Sequence, residues 1–116
     1  VDMQALRDKS LAMSELFREC LADRLEAHGI KDMTPATSER GSQVSLIDSQ
    51  HGYAIVQALI ARGVIGDYRE PGLMRFGFAP LYLSFEDVWQ AAHHFRAVLK
   101  SGEYQNSQFH VRSAVT

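Results

Sequence analysis

Two short apolar runs separated by only four residues constrain this chain more than any other feature. Residues 64–68 (Val-Ile-Gly-Asp-Tyr) precede Glu70-Pro71-Gly72, and Leu73-Met74-Arg75-Phe76-Gly77 follow. So short a Pro-Gly connection leaves no room for a crossover helix, so the two runs are expected to pair antiparallel. The second run continues through Phe78-Ala79-Pro80-Leu81-Tyr82 and reads as a buried strand. One residue breaks its character: Arg75. Desolvating an unpaired guanidinium costs several kcal/mol, so a planar anion is expected opposite it. The anion is either internal, with Asp67 or Glu70 across the hairpin as candidates, or a carboxylate arriving from outside.

Around this hairpin the periodicity gives three helices and two more strands. Residues 2–28 read as one long helix. Asp2 is placed to cap it, Met3, Leu6, Met13, Phe17 and Cys20 lie along a stripe that Leu16, Leu21 and Leu25 widen, and His28-Gly29 stops it. Residues 30–41 suggest a short strand and a turn. Gln43-Val44-Ser45-Leu46-Ile47 alternates as a strand with one buried face. Asp48 or Ser49 is expected to cap a helix over about 50–62 with Tyr53, Val56, Leu59 and Ile60 inward, ended by Arg62-Gly63. Ser84-Phe85-Glu86-Asp87 resembles a capping box, opening a helix to about Lys100. Its expected apolar face is Phe85, Val88, Trp89, Ala92, Phe95, Val98 and Leu99, with Ser101-Gly102 at its end. From Glu103 the chain is polar and aperiodic, which predicts a loosely held tail. The order helix, strand, strand, helix, strand, strand, helix predicts an α+β fold: a small antiparallel or mixed sheet with helices on one face.

Composition narrows the function classes. A net charge of −2 with dispersed Lys and Arg gives no electrostatic footprint for nucleic acid. No apolar run approaches the ~20 residues of a membrane span, and the opening lacks a signal-peptide pattern. The lone Cys20 allows no internal disulfide and is compatible with a reducing cytoplasm. His93 and His94 diverge by about 100° on a helix, and His28, His51 and His110 lie in unrelated segments, so metal binding is not expected. Gly66 and Gly77 suggest bulges or close backbone approach.

Several blocks together resemble the C-terminal region of kynureninases. They are Leu6-Arg7-Asp8-Lys9-Ser10-Leu11, Arg40-Gly41-Ser42-Gln43-Val44-Ser45-Leu46, Arg62-Gly63-Val64-Ile65-Gly66-Asp67-Tyr68-Arg69, and the stretch from Glu70-Pro71-Gly72 through Arg75 to Pro80-Leu81-Tyr82. The resemblance covers roughly residues 3–100. It implies the small domain of the aspartate-aminotransferase-like fold, a pyridoxal-phosphate enzyme, and hydrolysis of L-kynurenine or its 3-hydroxy form to anthranilate or 3-hydroxyanthranilate and L-alanine. It also implies a cytoplasmic homodimer of tryptophan catabolism. In that reading residues 1–28 lead from a large domain, 29–102 form the small domain and 103–116 the tail. Arg75 grips the substrate α-carboxylate and Asp67 supports it. The Schiff-base lysine and phosphate cradle are expected elsewhere, since Lys9, Lys31 and Lys100 lack a family-like context. No residue here is expected to transfer a proton, and the 116-residue chain alone is expected to be inactive. The alternatives are the small domain of an aminotransferase or cysteine desulfurase, which the Gln43 block argues against, and a stand-alone amino-acid-binding module.

Overall fold

The computed structural model describes residues 2–35 and 43–110. Helix α1 (Met3–Ala27) starts where Asp2 accepts hydrogen bonds from the backbone N–H of Gln4 and Ala5. It ends at His28, followed by Gly29 at φ 70°. Strands β1 (Lys31–Asp32) and β2 (Gln43–Ile47) lead to α2 (Gly52–Ala61). Strands β3 (Asp67–Arg69) and β4 (Leu73–Gly77) form the expected hairpin, and α3 (Phe85–Ser101) follows. The Ser84–Asp87 capping box is present on both sides, and Gly102 closes α3 in the left-handed conformation. Asp48 Oδ1 accepts from the N–H of Gln50 and His51, so Asp48 fixes the turn that enters α2.

The four strands form one antiparallel sheet in the order β1-β2-β4-β3. Register Val44↔Phe76 and Leu46↔Met74 aligns the inward-facing residues of the two central strands. All four are buried, and they pack with Met13, Phe17, Leu21 and Leu25 of α1, Ile55 and Leu59 of α2, and Val88, Phe95 and Val98 of α3. Phe17 centres this core, its ring 5.5 Å from Phe76, 5.0 Å from Phe78 and 6.1 Å from Phe95. The helices therefore share one face of the sheet, and among the described residues none covers the other.

Several expectations need correction. Leu73–Gly77 is not buried on both sides: only Met74 and Phe76 face the core, and Arg75 lies on the outer face. Strand β3 begins at Asp67, three residues later than its apolar run, because pairing with β4 begins opposite Arg75. On α3, Phe85 and Trp89 are 44% and 50% exposed, and Trp89 stacks on His93. On α2, Ile60 is turned outward while Ala54, Ile55 and Ala58 take its place in the core. The stretch expected to be loose forms two 3₁₀ turns, Glu103–Gln105 and Ser107–Phe109. Tyr104 is buried there, Phe109 packs on the core, and Glu103 is clamped by Arg62. The turn expected near residue 41 and the tail beyond residue 110 lie outside the described residues. No helix among the described residues is long and apolar enough to cross a membrane.

Candidate functional site

The outer face of the sheet carries a polar row built by register alone. Ser45 of β2 and Asp67 of β3 are both cross-strand partners of Arg75. The two flanks differ in geometry. The backbone N–H of Ser45 donates to Thr34 Oγ1 and its carbonyl accepts from Met33 N–H, both on the β1 side. Ser45 and Arg75 are therefore a non-hydrogen-bonded pair, the arrangement in which Cα atoms approach to about 4.5 Å and side chains lie closest. Arg75 turns its own backbone groups toward β3, so it is the hydrogen-bonded partner of Asp67.

Arg75 Nη2 donates to Asp67 Oδ2, and that ion pair places the carboxylate beside one nitrogen only. Arg75 Nε is covered and finds no hydrogen-bond partner among the described residues. The contrast is within the molecule. Arg62 engages Glu103 with both Nε (3.0 Å) and Nη2 (2.7 Å), the bidentate fork that guanidinium geometry favours. Arg75 does not complete that fork. Its side chain is 24% exposed, and with Nε shielded that exposure lies elsewhere on the side chain. Asp67 is more open, at 57%. The hydrogen bond from Arg75 holds the Asp67 carboxyl below its ordinary range; slight burial opposes this, and the charges of Arg75 and Arg69 add to it. Arg69 Nε is 3.9 Å from the same oxygen.

The other predicted residues separate clearly. Glu70 is not the partner of Arg75; it accepts from the Tyr68 hydroxyl at 3.2 Å. Gly66 is a close-approach position, since an added Cβ would sit 2.5 Å from the Phe76 ring. Gly77 has no such neighbour, and its nearest contact would be Gln43 Cγ at 3.6 Å. Arg40, Gly41 and Ser42 lie outside the described residues, while Gln43 opens β2 opposite Gly77. The lysines do not converge on Arg75. Lys9 Nζ donates to the Pro80 carbonyl at 2.8 Å, Lys31 lies opposite Ile47 on the edge strand, and Lys100 is in the last turn of α3. The histidines have separate settings: His93 on Trp89, His94 Nδ1 3.1 Å from Arg62 Nη1, His51 edge-on to Tyr104. Among the described residues no three His, Cys, Asp or Glu side chains gather around a possible metal.

Sequence reasoning missed Ser45 as part of this row. Its only signal was its place in the alternation of β2, and that becomes meaningful only once β2 is known to lie against β4. It also missed the Arg62–Glu103 pair, which links residues far apart in the chain. Chemically, the row offers an anion an unfinished guanidinium, a neighbouring hydroxyl, and an acid that marks one flank.

The kynureninase C-terminal domain family matches residues 6–95. A kynureninase of Pseudomonas fluorescens is 49% identical over 116 residues, and kynureninases of Burkholderia mallei (strain SAVP1) and Burkholderia pseudomallei (strain K96243) are each 48% identical. Each alignment takes in 99% of this chain but only 28% of the relative, so the chain spans little more than a quarter of the proteins it matches. With its antiparallel sheet, long first helix and these relatives, the chain belongs to the kynureninase C-terminal domain family.

Proposed function

We propose that this domain supplies the substrate-carboxylate arginine of a kynureninase, an enzyme that hydrolyses L-kynurenine or 3-hydroxykynurenine to anthranilate or 3-hydroxyanthranilate and L-alanine. The observation that carries the proposal is the guanidinium of Arg75 on the outer face of the sheet, held by Asp67 through one nitrogen only. A carboxylate docked there would gain charge-assisted hydrogen bonds from a planar donor whose direction the strand and Asp67 fix. That interaction orients the amino acid's Cα substituents, a positioning contribution to catalysis. Asp67 acts on Arg75 and not on substrate. Nothing in the row is suited to moving a proton, because its one carboxylate is engaged by a guanidinium.

The reaction calls for pyridoxal phosphate, which supplies an electron sink when bound. The described residues do not fit that group: no lysine stands beside Arg75 to hold it. The cofactor's lysine and phosphate site are therefore assigned to the remainder of the full-length protein, which is also the intended partner of this domain in a cytoplasmic homodimer of tryptophan catabolism. Met3, Leu81 and Tyr82, which are 75%, 63% and 84% exposed, support an apolar surface meant for such a neighbour. The test is Arg75→Lys in the full-length protein. Lysine keeps the charge but loses the fork, so KM for L-kynurenine rises by about tenfold or more. An unmoved KM and kcat would discard the assignment.

A further inference from the structure

We infer that Ser45 is a second carboxylate contact, its hydroxyl donating to the same substrate oxygen pair that Arg75 binds. This rests on the reading of Arg75 above and adds a residue to it. The argument is one of position. Asp67 occupies one flank of Arg75 and repels a second carboxylate, so an incoming anion is directed to the opposite flank, where β2 runs. The residue there is Ser45, partly exposed, and its backbone is committed to β1 while its hydroxyl makes no bond to any described residue. Because Ser45 and Arg75 form the closer type of cross-strand pair, a short hydroxyl on β2 and a long guanidinium on β4 can reach one ligand. In the neighbouring rows Leu73 and Ile47 are apolar and Gly77 has no side chain; Gln43, opposite Gly77, is the other donor on this face of β2, and Ser45 is the one in the row of Arg75 itself. The row thus reads acceptor, cation, donor from β3 to β2, and only the β2 side suits an anion. Ser45 contacts substrate in this assignment, whereas Asp67 positions Arg75.

The experiment compares Ser45→Thr with Ser45→Val in the full-length protein. The two replacements have nearly the same shape, and β-branched residues suit a strand. Only threonine keeps the hydroxyl. Steady-state kinetics with L-kynurenine are expected to show KM within about twofold of the parent for threonine and raised about five- to tenfold for valine, with kcat changed far less. Inhibition by the decarboxylated amine of the same substrate should be alike in both variants, whereas a purely structural role of Ser45 would weaken it in the valine variant along with KM. Equal KM values for the threonine and valine variants overturn the proposal. Measured beside them, Arg75→Lys distinguishes the two claims. A raised KM there with valine equal to threonine removes Ser45 alone, and an unmoved KM in Arg75→Lys removes both.

Discussion

The hairpin that aims Arg75 outward depends on Gly72, and replacing it with alanine should cost far more than the same change elsewhere. Gly72 sits at φ 126°, outside the range of L side chains, and its carbonyl accepts a 3.0 Å hydrogen bond from Asp48 N–H. A Cβ there would lie 2.4 Å from the Asp48 carbonyl oxygen, 2.7 Å from its carbon and 2.8 Å from Ser49 Cα. All three are backbone atoms, so no flexible side chain can yield. The dihedral strain is worth about 1–3 kcal/mol and the overlap about 1–3 kcal/mol, which makes ~4 kcal/mol a central expectation. At about 4 °C per kcal/mol for a chain of this size, the melting midpoint falls by about 15 °C. Gly29→Ala is the control, because Gly29 has φ 70° but no atom within 4 Å of an added Cβ. It should lose only about 1–2 kcal/mol through strain. Urea unfolding of both variants, followed by circular dichroism with the slope m held as a check on two-state behaviour, gives the comparison. If Gly72→Ala loses no more than Gly29→Ala, the tight seating of the turn against Asp48 and Ser49 is refuted.

Two further outcomes are expected. Hydrogen bonds from Arg75 and Arg62 hold the carboxyls of Asp67 and Glu103 below their ordinary range. A depressed folded-state value means stability fully present above the unfolded value of about 4 and lost as pH falls through the folded one. The urea midpoint should thus be flat from about pH 7 to 5 and drop below about 4. Glu103→Gln should show a shallower drop, and an identical acid limb in the two proteins would contradict the role given to that pair. Separately, the purified 116-residue chain should cleave no L-kynurenine in the presence of added pyridoxal phosphate; measurable anthranilate release would overturn the division of labour proposed here.

Local physics made much of the fold legible in the sequence. Asp2, Ser84, Gly29 and Gly102 announce helix ends because capping is decided within a few residues. The alternation Gln43 to Ile47 announces a half-buried strand for the same reason. What could not be read is set by partners distant in the chain. The placement of β4 between β2 and β3 depends on a shared core, and it turns an apparently buried arginine into one on an open face. Spacing puts Trp89 beside Val88 on the apolar face of α3, as a core or interface aromatic; Val88 is buried and Trp89 is half exposed, since the α1 contact fixes the rotation of α3. Residues 103–109 have no helical or strand period, so nothing local predicted that Tyr104 would be buried and Glu103 paired with Arg62. For the site, Arg75 and Asp67 were readable as a charge within an apolar run and an acid across a short turn. Ser45 was not, because its meaning comes from register.

The central claim is a carboxylate on the Arg75 guanidinium, and a ratio tests it most directly. Full-length protein with Arg75→Lys should weaken binding of L-kynurenine by about tenfold or more, while binding of the decarboxylated amine of that substrate stays within about twofold of the parent. Equal weakening of both ligands, or of neither, would show that the arginine does not recognise the acid group.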